Sequence, residues 1–107
     1  MDTKADADFN RALDFLHLVY QGMGGGIVAL AHDHGETHTL FTVEGDAPTA
    51  LDDGPCDVGT YDNETWAQFG TLRQYPTLAA ALLELYGPND TDPLPEALAP
   101  CRAIVEG

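Results

Sequence analysis

Apolar residues recur at helical spacing from Phe9 through Leu13, Leu16 and Tyr20 to Met23, joined by Ala12, Phe15 and Val19. Asn10, Asp14, His17 and Gln21 make the opposite face. The spacing predicts an amphipathic helix from about Asp8 to Gln21, capped by Asp6 or Asp8, with Met1–Lys4 as a frayed end. Gly22 and Gly24–Gly26 are placed to end this helix and reverse the chain into a first strand.

The pattern then changes period. Ile27–Ala31 and Thr37–Val43 are apolar runs rich in β-branched residues, flanking the polar Asp33-His34-Gly35-Glu36. This predicts a β-hairpin with a two-residue turn at His34-Gly35, pairing Asp33 with Glu36, Leu30 with Thr39 and Val28 with Phe41. Val28, Leu30, Phe41 and Val43 then share the face that belongs in a core. Ile27, Ala29, Ala31, His38 and Leu40 share the other, which is too apolar to be fully wet and predicts a further layer or an interface, such as a homodimer formed through this second sheet face.

Asp46–Asn63 reads as a loop, with Cys56–Tyr61 as a short third strand at the sheet edge. Asp62 or Asn63 is placed to cap a helical turn carrying Trp66 and Phe69, although Gly70 and the Tyr75-Pro76 step interrupt it. Pro76 suits a first helical position, and Leu78, Leu82, Leu85 and Tyr86 form one stripe of a helix stopped by Gly87-Pro88. Beyond about residue 88 the chain should be irregular except for a helical piece near Glu96–Val105. These elements describe one small α+β domain over residues 1–107: an N-terminal helix, an antiparallel hairpin or three-stranded sheet, and C-terminal helices packed on one face. The predicted core is Phe9, Leu13, Leu16, Val28, Leu30, Phe41, Val43, Trp66, Phe69, Leu78, Leu82 and Leu85.

Charge is the feature that departs from an ordinary domain of 107 residues. Eighteen Asp and Glu stand against four Lys and Arg, a formal net charge of -14. Between Ala12 and Leu72 there is no Lys or Arg, yet Asp14, Asp33, Glu36, Glu44, Asp46, Asp52, Asp53, Asp57, Asp62 and Glu64 fall there. Such a field repels nucleic acid and anionic membranes, whose binding needs Lys and Arg, and attracts basic proteins and cations. The N-terminus lacks the basic and apolar regions of a signal peptide and no run is long enough to span a bilayer, so a cytoplasmic location is expected. Cys56 and Cys101, far apart and outside CxxC spacing, are then expected as free thiols, with a disulfide between them as the alternative.

Three clusters could carry chemistry. His32, His34 and His38, with Asp33 and Glu36 between them, are metal-ligand types, but strand parity sends His32 and His38 to opposite faces. The chain has no serine, and neither cysteine has a His beside it in sequence, so nucleophilic catalysis is not indicated. Gly24-Gly25-Gly26 precedes a strand instead of a helix, the reverse of a phosphate-binding loop, and no cofactor motif is present. The acids Asp46, Asp52, Asp53, Asp57, Asp62 and Glu64, spread along a loop without bases, can imitate a row of phosphates and occupy the basic surface of a nucleic-acid-binding protein.

In size and charge the chain resembles small acidic inhibitors such as antirestriction, anti-CRISPR and immunity proteins. Over Ala12–Val43, the order DFLHLVYQGMGGGIVALAHDHGETHTLF also resembles the opening segment of phage and plasmid primase-helicase proteins. This resemblance implies a mobile-element origin and no activity, because the primase metal carboxylates and the helicase nucleotide loop have no matching positions. The reading favoured is a non-enzymatic acidic protein that binds a basic partner through Asp46–Glu64. The rivals are a salt-adapted structural or accessory subunit, and a metal-binding protein or enzyme using the hairpin histidines.

Overall fold

A computed structural model describes residues 4–87 and 93–107; of the end expected to fray, Met1–Lys4, Lys4 instead opens the first helix and the rest lies outside the described residues, as does Pro88. The chain is α+β, as its periodicities predict. Helix α1 (Lys4–Leu16) is followed by strands β1 (Val19–Gly24), β2 (Ile27–Asp33), β3 (Thr37–Val43), β4 (Cys56–Asp62) and β5 (Gln68–Tyr75), then helix α2 (Leu78–Tyr86), a short 3-10 turn (Glu96–Leu98) and helix α3 (Ala99–Glu106). The strands form one antiparallel meander in the order β1-β2-β3-β4-β5. No helix among the described residues is long and apolar enough to cross a membrane.

Helix α1 stops well short of Gln21. His17 turns into the left-handed region at φ 57°, and the Leu18 N–H closes onto the Leu13 carbonyl at 2.9 Å. Val19 and Tyr20, which fit the helical spacing, instead begin β1 and pair with Ala31 and Leu30. The glycines therefore end no helix: Gly24, Gly25 and Gly26, all at positive φ, make the β1–β2 turn. A β-branched and an aromatic residue beside an unpaired β2 edge gain ladder hydrogen bonds that a further helical turn would forgo.

The central hairpin forms two residues out of its predicted register. Asp33 pairs with His38 and Leu30 with Phe41, around a four-residue turn in which the His34 N–H donates to the Thr37 carbonyl at 2.8 Å. A slip of two preserves parity, so the predicted faces survive. β4 is not an edge strand, because β5 pairs beyond it where a helical turn was predicted. Asp62 does cap, but it caps a β-turn: its Oδ2 accepts from the backbone N–H groups of Glu64 and Thr65 and from the Thr65 hydroxyl at 2.8–3.1 Å. Trp66 and Phe69 are consequently 43% and 51% exposed, not core.

All the helices lie on one face of the sheet. Phe9, Ala12 and Leu16 of α1, Leu78 and Leu82 of α2, and Leu98 and Cys101 at the C-terminus pack with Leu30, Phe41, Cys56 and Val58, and Leu51 drops in from the β3–β4 loop. Leu13 and Val43 pack on this core half-buried, whereas Leu85 stays on the surface. Thr77 caps α2, its hydroxyl accepting the Ala80 N–H at 3.1 Å, so Pro76 stands before the cap. The Asp53 and Leu51 carbonyls accept the next two N–H groups of that helix, from Leu78 and Ala79, each at 2.8 Å. Gly54 allows this approach, since a Cβ there would lie 1.9 Å from the Pro76 carbonyl oxygen.

Candidate functional site

The face opposite the helices has its own small apolar cluster, Ala29, Ala31 and Leu40 with Tyr61 packed against them, and among the described residues no helix residue joins it. Register continues this face outward. Val19 and Gln21 pair with Ala31 and Ala29, His38 with Tyr61, Leu40 with Gly59, and Thr42 with Asp57. At Gly59 a Cβ would come within 2.6 Å of Leu72 Cδ2 and 2.7 Å of the Tyr61 hydroxyl, so both side chains lean over the glycine and close the floor. Around this buried floor stand exposed apolar side chains: Val19, Ile27, Trp66 and Leu72. The second face is apolar as predicted, and within the described residues no further layer covers it.

One corner of this face is polar and closely built. Asn63, in the β4–β5 turn, donates from Nδ2 to the Gly35 carbonyl at 2.7 Å and to Asp33 Oδ1 at 3.2 Å. Both partners are acceptors, so Asn63 Oδ1 must face His38 and accept its Nδ1–H, at 2.5 Å. This places a proton on Nδ1 and leaves Nε2, which is buried and has no hydrogen-bond partner among the described residues. Trp66 covers the ring edge-on with centroids 4.6 Å apart, and Tyr61 stacks at 5.9 Å. Trp66 is held there with φ at 61°. A cleft of about 440 Å³ adjoins the cluster, lined by His17 after α1, Val19 and Gln21 of β1, Ala31 and Asp33 of β2, and His38 of β3, with Trp66 and Asn63 beside them.

Hydrogen bonds keep the carboxylates of this corner ionised. The Gly35 backbone N–H, and then the Asn63 amide, hold the Asp33 carboxyl below its usual range. Asp62 is held low by the backbone N–H groups of Thr65 and Glu64. The Asn63 N–H donates to the Glu36 carbonyl at 3.0 Å, which ties the two turns together and sets Asp33, Glu36, Asp62 and Glu64 at one end of the sheet.

The six acids predicted to bind a partner do not form one irregular row, because β4 runs through the middle of them. Asp46, Asp52 and Asp53 lie in the loop before β4, Asp57 is within it, and Asp62 and Glu64 are at and beyond its far end, about 20 Å away along the strand. Two of the six do structural work. Asp62 caps its turn, and Asp53 Oδ2 accepts from the Thr49 and Ala50 N–H groups and the Thr49 hydroxyl at 2.9–3.0 Å. Asp57 accepts from the Gln74 amide at 3.2 Å, and Asp46, Asp52 and Glu64 are exposed. Among the described residues the ion pairs are Arg11–Glu96 and Arg102–Glu106, and the first borders Asp52, which lines one cleft with Lys4, Arg11 and Glu96.

The three hairpin histidines are divided as parity requires. His32 lies on the helix-covered face with Nδ1 on the Tyr86 hydroxyl at 2.5 Å, His34 bonds the Thr39 hydroxyl at 2.9 Å, and their ring centroids are 4.4 Å apart. His38 is on the other side of the sheet. No group of three His, Cys, Asp or Glu among the described residues could hold a metal ion. Cys56 and Cys101 are free and buried, and burial pushes their thiols up to about 12 and about 11, the opposite of what a nucleophilic thiolate needs.

Sequence reasoning placed His38 on this face but missed Asn63 and Trp66 as its neighbours. A signal for β5 was present in Phe69, Thr71, Arg73 and Tyr75 alternating with Gln68, Gly70, Leu72 and Gln74. Asn63 was marked only as a candidate cap, with no signal for its bond to His38. No family model, curated protein or solved structure matches the chain.

Proposed function

We propose that this is a non-enzymatic binding protein that docks a basic surface of a partner protein on the uncovered face of its sheet. The observation that carries the reading is the asymmetry of the sheet. One face holds every helix, while the other presents Val19, Ile27, Trp66 and Leu72 around a buried apolar floor. Charge complementarity selects the occupant. With a net charge of -14 and acids at both ends of β4, the surrounding field attracts Lys and Arg. A groove built to follow phosphates has that chemistry, so a nucleic-acid-binding protein is the partner class that fits, with the acid groups standing in for phosphate at two separated points. An apolar centre with a charged rim is the usual anatomy of such an interface.

The test is capture from host lysate at about 50 mM and about 500 mM salt, a range over which screening weakens charge pairing, using the full chain and two variants that keep strand propensity or shape. Val19→Thr/Leu72→Thr makes the face polar, and Asp57→Asn/Glu64→Gln removes charge from acids of that side without a capping role. A single basic protein held at low salt, released at high salt and lost or weakened with both variants is the expected result. Equal capture by the folded variants, or an acidic partner, would overturn the reading.

A further inference from the structure

The His38 corner holds a polar atom that the fold leaves without a use. His38 is 8% exposed, its Nδ1–H is committed to Asn63, and its buried Nε2 has no hydrogen-bond partner among the described residues. A buried polar atom without a partner costs stability, a cost that a ligand able to bond it would relieve. The groups around it constrain what would satisfy it. Asp33 Oδ1 is occupied by Gly35 and Asn63, while Oδ2 accepts no hydrogen bond among the described residues. His38 and the anionic Asp33 therefore border the cleft together with the His17 ring and the Gln21 amide, and Trp66 adds an aromatic ring to the lining, with Tyr61 packed near it at a centroid distance of 6.3 Å.

An anionic ligand would meet Asp33 and the field of the whole chain. A metal ion lacks three converging ligands among the described residues. An organic cation with several N–H donors suits acceptors and π faces together, and a planar guanidinium serves both better than an ammonium. We propose that the cleft beside His38 receives a guanidinium group, the side chain of an arginine on the docked partner, with His38 Nε2 and the Asp33 carboxylate accepting its N–H groups. Trp66 acts as the lid. Its indole now covers the imidazole and is itself 43% exposed on a turn, so entry of the guanidinium swings it from an edge-on contact with His38 to a stack on the cation.

The inference rests on the docking reading, but its test needs no partner. Trp66 is the chain's one tryptophan, so its fluorescence reports on the cleft. Titration of the full chain with N-acetylarginine methylamide should give a saturable change with Kd on the order of 1 mM. The citrulline analogue, equal in shape and uncharged, should give none. Asp33→Asn, at an exposed position where the amide oxygen can still cap Gly35, should weaken the arginine probe about fivefold. A linear, non-saturating response, or an equal response to citrulline, overturns the guanidinium site even if lysate capture succeeds. Saturation by the arginine probe with no partner captured supports the site and removes the docking reading. Free arginine binding far more tightly than the blocked residue would overturn the assignment to a side chain.

Discussion

Truncating Asn63 to alanine tests the polar corner directly. The side chain accepts from His38 Nδ1 at 2.5 Å and donates to the Gly35 carbonyl at 2.7 Å and to Asp33 at 3.2 Å. The last two bonds lie at exposed turns where water can replace them, so they contribute about 0.5 kcal/mol together. The first cannot be replaced in this way. With His38 8% exposed, Asn63→Ala leaves a buried N–H without an acceptor, a cost of about 1–3 kcal/mol. The total is about 2 kcal/mol, equivalent to a fall in Tm of about 8–16 °C for a domain of this size. Urea and thermal denaturation followed by circular dichroism measure it. The attribution is checked in a His38→Phe background, where no N–H remains to be orphaned and the same truncation should cost only about 0.5 kcal/mol. A loss below about 0.5 kcal/mol in the native background, or an undiminished loss in the His38→Phe background, would refute the reasoning.

Three further outcomes are expected. Gly54→Ala should destabilise by about 1–3 kcal/mol in urea melts, because the new Cβ meets the Pro76 backbone; Gly59→Ala should cost less, since it displaces only the ends of the Leu72 and Tyr61 side chains. Stability should fall on acidification. His32 has its pKa lowered, chiefly by burial and then by His34, so its contribution is complete above the ordinary value of 6.5 and is lost as pH drops through the folded value. Asp33 and Asp62, also lowered, add a second loss only below 3.8; Tm measured against pH should show the first step and His32→Gln should flatten it. Finally, the chain should be folded in about 50 mM salt, with a urea midpoint that rises modestly towards about 1 M as screening relieves a net charge of -14. Unfolding in dilute buffer would favour the salt-adapted reading over binding.

Much of the candidate site was legible one element at a time. Alternation in Ile27–Ala31 and Thr37–Val43 assigned Leu30 and Phe41 to the core and Ala29, Ala31, His38 and Leu40 to the other face. The assignment survives an actual register two residues away, because side-chain direction depends only on whether the shift is odd or even. The same parity separated His32 from His38. What was not legible was which segments would lie beside one another. Trp66 follows an Asp-Asn pair able to cap either a helix or a turn, and only the pairing of β5 with β4 selected the turn that brings its indole onto His38. Asn63 has no distinguishing local pattern, since its role is made entirely by partners 25 to 30 residues away.

By itself the sequence determined the α+β class, the two faces of the central hairpin, helix α2, the C-terminal helical piece and an acidity with few bases to offset it. Each follows from periodicity or charge, which are properties of short windows or of composition. Tertiary structure alone decided that Val19–Gly24 is a strand and not the end of a helix, that Gln68–Tyr75 extends the sheet, and that β4 divides the acids into separated groups. A strand is stabilised by hydrogen bonds to a neighbour distant in sequence, so a segment with mixed local preference takes its form from the edge available to it. Two added strands widened the face that the hairpin began. With every helix among the described residues committed to the opposite side, none of them covers the face on which the partner is proposed to dock.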